Sequence, residues 1–303
     1  MVQEKDIVIK GIKTHFLEIR NEKKNTIIML HGALAAHQMF TPLIKRLSPY
    51  FNIFALDEPG FGETEPLPNN VIPEYVEWLH EFITQHKIKK PIFFGMSLGG
   101  LISLYFAGTY PDIPEKVIVQ APPTYTESIF PNQLKLFSTA RQAFSSDRVK
   151  VISERLARSN ISSKLLFHLF KISGKDNKEI CKHLGEKTVM HLGQHIDTRA
   201  LSQILTYLLD FSIDEQIKEI TCPLLGIIGK EDLTIIPQSI YKIKILNPKA
   251  KVLIHNEGGH AMSITHSEII AQYIINFTNE PSVSYSLGKR VGTVINKIKN
   301  LFR

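Results

Sequence analysis

The chain has 303 residues, 43% of them hydrophobic and 21% charged, with a formal net charge of +7. That is apolar material for one large domain, or for a domain carrying an insertion. No stretch approaches the roughly eighteen consecutive apolar residues of a membrane-spanning helix.

The charge is unevenly placed. Lys289, Arg290, Lys297, Lys299 and Arg303 lie in 281–303, where there is no Asp or Glu, and carry five of the seven surplus charges. The body is left near neutral at +2. It lacks the broad basic face that phosphate backbones require, which argues against nucleic acid as a partner. Two cysteines, Cys181 and Cys222, make neither a disulfide framework nor a metal spacing, so a reducing, cytoplasmic compartment is expected. The first residues, MVQEKDIVIKG, mix both charges without a long apolar run and do not read as a secretory signal.

In chain order, Asp6 to Ile12 and Thr14 to Ile19 read as two short strands around Gly11. Asn25 to Leu30 is an apolar run of strand length that ends at His31-Gly32-Ala33. A helical pattern follows at Met39 to Leu47, then a strand at Phe51 to Leu56 and a loop, Asp57-Glu58-Pro59-Gly60-Phe61-Gly62. Pro73 to His86 has apolar residues at helical spacing and a proline in its first turn.

Pro91 to Phe94 is a strand that enters Gly95-Met96-Ser97-Leu98-Gly99, and an apolar helical run, Leu101 to Phe106, leaves it. The Gly-x-Ser-x-Gly spacing has a steric reason. A serine raised clear of a strand end sits in a strained turn, and the positions two before and two after it crowd their neighbours. Lys116 to Gln120 is the next strand.

Near-continuous apolar strands alternating with helices predict a mostly parallel α/β sheet buried on both faces. The rhythm breaks at Ala121-Pro122-Pro123. Helical composition follows over Gln133 to Phe144, Val149 to Arg158, Ser162 to Ile172, Lys178 to Met190 and Ala200 to Leu209. The rhythm resumes with a strand at Pro223 to Ile228, a helix at Gln238 to Leu246, a strand at Lys251 to His255 and a closing helix, Met262 to Phe277. The expected organisation is a core at 1–121 and 221–280, a helical insertion at 122–220 and a separate tail at 281–303.

Open parallel sheets carry reactive groups at the carboxyl ends of their strands. Those ends hold His31-Gly32-Ala33, Asp57, Ser97, Gly229-Lys230-Glu231-Asp232 and Gly258-Gly259-His260. A serine hydroxyl needs a base to take its proton, histidine titrates in the useful range, and a carboxylate fixes the histidine tautomer. Ser97, His260 and Asp232 meet these needs. The backbone N–H groups of Leu98 and Ala33 are candidate oxyanion donors; losing one such donor typically costs about 3–4 kcal/mol of transition-state stabilisation.

These motifs resemble the α/β-hydrolase superfamily: His31-Gly32, Asp57-x-Pro59-Gly60-x-Gly62, the Gly95-to-Gly99 turn, Gly229-x-x-Asp232 and Gly259-His260 occur in the family's order. The resemblance implies an eight-stranded sheet with helices on both faces, and a helical cap over the nucleophile at 122–220. It also implies a catalytic site that needs no cofactor. Dehalogenases and epoxide hydrolases of the superfamily carry Asp where Ser97 stands, so ester chemistry is favoured. The Gly-Gly-Ser-Trp-Gly turn of proline iminopeptidases and the His-Gly-Gly-Gly run of one lipase class are absent. Met96-Ser97-Leu98-Gly99-Gly100 is similar to small esterases and monoacylglycerol-lipase relatives. The expectation is a serine hydrolase cleaving a small-molecule carboxylic ester or thioester with a hydrophobic acyl group. The alternatives are a C–C bond hydrolase on a vinylogous diketone, using the same residues, and a non-catalytic ligand-binding protein.

Other candidates read as structural. His255 falls within a strand and His266 inside the last helix; Asp57 ties its loop to the backbone, with a reserve acid as its alternative role, and His31 packs under the oxyanion loop. Glu231 could replace Asp232, although adjacent side chains point apart. His191 and His195 have the spacing of a zinc-binding helix but lack a Glu between them, and Gly193 weakens a helix there. The insertion's Phe130, Phe137, Phe144, Leu165, Phe167, Leu169 and Phe170 form its own core or line an apolar pocket.

In the tail, Leu287, Val291, Val294, Ile295, Ile298, Leu301 and Phe302 fall within an arc of about 120° on a helix. This basic amphipathic pattern suits docking on the protein's own surface, on a second copy, or on an anionic membrane. The oligomeric state is left open.

Overall fold

The computed structural model describes residues 2–21, 24–144, 180, 182–185 and 195–280. The helices expected at Val149 to Arg158 and Ser162 to Ile172, most of Lys178 to Met190, Cys181, His191, and the tail 281–303 lie outside the described residues.

Eight strands form one mixed, mostly parallel sheet: β1 (Val2–Ile9), β2 (Ile12–Ile19), β3 (Thr26–Leu30), β4 (Asn52–Leu56), β5 (Ile92–Met96), β6 (Lys116–Gln120), β7 (Leu224–Gly229) and β8 (Lys251–His255). Their spatial order is β1-β2-β4-β3-β5-β6-β7-β8. β1 pairs antiparallel with β2, and β2 with β4; every other neighbour is parallel. The first strand differs from expectation. It begins at Val2, and the hairpin turn is the pair Lys10-Gly11, both with positive φ (50° and 83°). That two-residue turn closes Ile9 directly onto Ile12.

Side chains alternate across the sheet with period two. Ile27 and Met29 of β3 face one core, with α1 (Thr41–Leu47), α8 (Met262–Thr265) and α9 (Ser267–Asn279). Ile28 and Leu30 face the other, with α2 (Ile72–Gln85), α3 (Leu98–Thr109), α6 (Asp214–Glu219) and α7 (Tyr241–Leu246). The closing helix is broken in two because His266, with φ −123° and ψ 37°, leaves the helical backbone.

Lys116, at the start of β6, is 2% exposed. Its ammonium donates to the carbonyl oxygens of Phe277, Thr278 and Glu280 at 3.1, 2.8 and 2.6 Å. Two of these carbonyls belong to the last turn of α9 and the third to Glu280 just past it, and no later turn of that helix can satisfy them. Burial pulls the Lys116 pKa below its ordinary value.

Between β6 and β7, α4 (Pro131–Phe144) packs against α5 (Thr198–Leu208). Asp197 caps α5 by accepting from the Ala200 N–H at 2.7 Å, and its own N–H donates to Gly60 O at 2.9 Å. Asn70 donates to the Gln203 side chain at 2.8 Å. These bonds pin α5 to the loop that follows β4.

Candidate active site

Ser97 lies between the end of β5 and the start of α3, with φ 51° and ψ −113°. A non-glycine residue holds such a backbone only where its surroundings impose it. Two glycines make the imposition possible. A Cβ at Gly95 would sit 2.2 Å from Gly99 O, and one at Gly99 would sit 2.2 Å from Leu30 O. α3 therefore approaches β3 and β5 more closely than any side chain permits. The steric reason for the Gly-x-Ser-x-Gly spacing is a measurable contact.

His260 follows β8, and its Nδ1 is 2.8 Å from Asp232 Oδ2. Asp232 follows β7 and is buried. Its other oxygen, Oδ1, accepts the Thr234 and Ile235 N–H groups at 2.8 and 2.9 Å. The carboxylate is thus fixed by backbone on one side and meets the imidazole with the other. Glu231 is exposed. The bond at Nδ1 leaves His260 Nε2 as the nitrogen able to take a proton.

Ser97 and His260 both line one cavity of about 160 Å³. Ala33 and Leu98 border it as well. Leu98 opens α3, so its N–H has no carbonyl one turn back. The next donor, the Gly99 N–H, is taken by His31 O at 2.8 Å. The roof is apolar: Leu136 and Phe137 come from α4, and Leu201, Leu205 and Leu208 from α5.

The remaining candidates are held elsewhere. His31 Nε2 accepts the Glu58 N–H at 2.9 Å, and its Nδ1 meets Gly32 O at 2.7 Å. Burial pushes its pKa down to about 4, which keeps it neutral. Asp57 is buried; it accepts the His37 N–H at 2.7 Å, meets His37 Nδ1 at 2.8 Å and accepts the Glu63 N–H at 2.9 Å. Burial alone would raise the Asp57 carboxyl, but the hydrogen bond and charge of His37 outweigh it and hold the pKa below the usual range. His255 Nδ1 meets the Tyr273 hydroxyl at 3.0 Å. His266 stands at the α8–α9 junction rather than inside a helix, with its Nδ1 2.8 Å from Thr265 Oγ1. His195 pairs with Glu63 at 3.1 Å.

Sequence reasoning missed Gln120, whose side-chain amide donates to His260 O at 2.8 Å and fixes the loop that presents the imidazole. The available signal was a polar residue ending an apolar strand. It also missed Glu4, His15 and His37, which among the described residues form the group with metal-ligand proximity. None of the three lines the cavity.

A model of the alpha/beta hydrolase fold matches residues 25–267. The chain belongs to the α/β-hydrolase fold family. Among α/β-hydrolase relatives, the pimeloyl-[acyl-carrier protein] methyl ester esterase of Xanthomonas axonopodis pv. citri (strain 306) is 24% identical over 256 residues. That match covers 83% of this chain and 94% of the relative. The esterase of the same name from Pseudoalteromonas atlantica is 25% identical over 252 residues, covering 80% of this chain and 89% of the relative. In structure, the enol-lactonase of Burkholderia xenovorans LB400 aligns with a TM-score of 0.73 at 17% identity, over 91% of this chain and 100% of that one. The carboxylesterase CesB of Bacillus subtilis aligns at 0.70 and 19% identity over 92% of each chain. Ester hydrolysis is therefore plausible at the level of the family. Among the described residues, no helix is long and apolar enough to cross a membrane.

Proposed function

We propose that the protein is a serine hydrolase that cleaves a carboxylic ester or thioester with a hydrophobic acyl group. One observation carries the reading. A histidine bonded through Nδ1 to a buried, backbone-anchored carboxylate shares an apolar cavity with a serine raised on a strained turn.

In this mechanism Ser97 Oγ attacks the carbonyl carbon while His260 Nε2 takes the hydroxyl proton. Asp232 holds the Nδ1–H and stabilises the imidazolium. The N–H groups of Leu98 and Ala33 hold the oxyanion. The carbon–oxygen or carbon–sulfur bond then breaks, and His260 returns its proton to the leaving group. Water attacks the acyl-enzyme, gives its proton to His260, and the acid leaves as Ser97 is restored.

The substrate class is supported by the cavity walls, which are mostly apolar where α4 and α5 supply them, with Gln133 as a polar member. Relatives named for a methyl ester of a carrier-bound acyl chain agree with an extended apolar acyl group. The 122–220 segment serves as the cap in this reading, because two of its helices supply the cavity roof.

A fluorophosphonate probe tests the proposal. Wild type is expected to carry the adduct on the peptide containing Ser97, and the Ser97→Ala variant none. Folded wild type that neither labels nor turns over p-nitrophenyl esters of any chain length overturns it.

A further inference from the structure

We propose that Glu4, His15 and His37 form a divalent transition-metal site whose donor set suits zinc. One ligand atom from each lies within 4.8 Å of the other two. His37 Nε2 is 3.5 Å from Glu4 Oε1. Two ligands of a tetrahedral zinc at the usual bond lengths of roughly 2.0–2.1 Å stand about 3.4 Å apart.

The buried member shows most clearly what the site is for. The His37 side chain is 1% exposed. Its Nε2 is buried and makes no hydrogen bond among the described residues; only Glu4 Oε1 faces it, at a long 3.5 Å. A buried polar atom of that kind calls for a partner. The other face of the ring is firmly held, with Nδ1 2.8 Å from Asp57 Oδ1. His15 repeats the arrangement, with Nδ1 2.7 Å from Asp6 Oδ1. With a metal bound, each imidazole keeps its proton on the nitrogen facing Asp6 or Asp57 and offers the lone pair of the other; the metal then takes the place of the second proton of His37, which otherwise faces Glu4. Metal-ligating histidines are oriented in this way, and the carboxylate makes the ring a stronger ligand. Here both histidines have such a carboxylate.

The scaffold is rigid where it needs to be. Asp6 pairs with His15 directly across the β1–β2 ladder, and Glu4 is two residues from Asp6, on the same strand face. His15 is fixed by its backbone: its N–H donates to Thr64 Oγ1 at 2.9 Å, and its carbonyl accepts the Asp57 N–H at 3.0 Å. His37 arrives from the turn that follows the Ala33 loop. Glu4 is 58% exposed and free to close the last distance. Two neutral imidazoles and one carboxylate leave the metal with a residual positive charge, which Asp6 and Asp57 offset. The three ligands leave a fourth position on the solvent side for water. A metal here would tie the edge hairpin to the turn behind the oxyanion loop.

The test uses the untagged full-length chain, stripped with a chelator and titrated with zinc ion by calorimetry, with thermal unfolding in parallel. Wild type is expected to bind one equivalent with micromolar affinity or better, and to melt higher when loaded. Glu4→Gln and His15→Gln should each weaken binding at least about tenfold while the metal-free proteins stay folded. Because His37 is buried, its removal threatens the fold, and the decision rests on the other two. His195→Ala and His260→Ala control for the rival histidines. The assignment is overturned if wild type takes up no zinc, if both site variants bind as wild type does, or if binding is lost only in a control. In the first case His37 is a buried imidazolium held between Asp57 and Glu4.

Discussion

Asp232→Asn is the substitution whose outcome the geometry fixes most closely. Oδ1 of Asp232 accepts two backbone N–H groups, from Thr234 at 2.8 Å and Ile235 at 2.9 Å. Only an oxygen can occupy that position, so the variant's amide oxygen seats there and its NH2 turns toward His260. The NH2 then faces Nδ1 at the 2.8 Å now spanned to Oδ2. Nδ1 can only accept from it, and the ring proton moves to Nε2. A protonated Nε2 cannot take the Ser97 proton. Loss of the correct tautomer in a triad of this type costs about 10⁴-fold in kcat, or about 5.4 kcal/mol. The backbone bonds survive, so the urea midpoint should stay close to wild type. Asp232→Ala is the contrast: it orphans both N–H groups, each at about 1–3 kcal/mol of stability. Turnover of a p-nitrophenyl ester at pH 8, beside urea unfolding, reads both quantities. An Asp232→Asn protein that is folded and keeps more than a tenth of wild-type kcat refutes the assignment of Asp232 as the group that sets the His260 tautomer.

Gly99→Ala should lower stability by at least about 2 kcal/mol, because its Cβ would meet Leu30 O at 2.2 Å; an unchanged urea midpoint refutes the close approach. His31 has a folded pKa of about 4 against 6.5 unperturbed. The unfolded chain therefore binds more protons between these values, and the contribution, complete above pH 6.5, is lost as pH falls toward 4. Wild type should lose about 3 kcal/mol more than His31→Gln over that window in urea titrations; equal losses refute the buried neutral assignment. Leu201→Trp adds bulk to a cavity of about 160 Å³. Activity on p-nitrophenyl octanoate should fall about tenfold or more relative to acetate, and an unchanged ratio removes the cavity from acyl recognition.

The central strands were legible because burial on both faces leaves an unbroken apolar run, as in IFFGM and KVIVQ. The start of the first strand was not, since its residues up to Val8 are exposed or half-buried and those before Asp6 carry no core signal. Its antiparallel pairing with the rest of the sheet depends on which edge the hairpin joins, and hydropathy does not encode that. The break at His266 hides within an apolar period that continues on both sides. At the site, strand ends told which residues to inspect, but not which carboxylate at 231 and 232 turns inward. The bonds Gln120–His260 and Asp57–His37 link residues 140 and 20 positions apart and leave no periodic trace.

The ammonium of Lys116 works like a rivet. It fastens the end of α9 to the start of β6 through three carbonyls at once. Strain or pulling applied from the basic extension should stop at this anchor instead of unzipping α9. A chain cut after Glu280 is therefore expected to retain the melting temperature of the intact protein, whereas Lys116→Met should let the helix end fray and make the same cut destabilising.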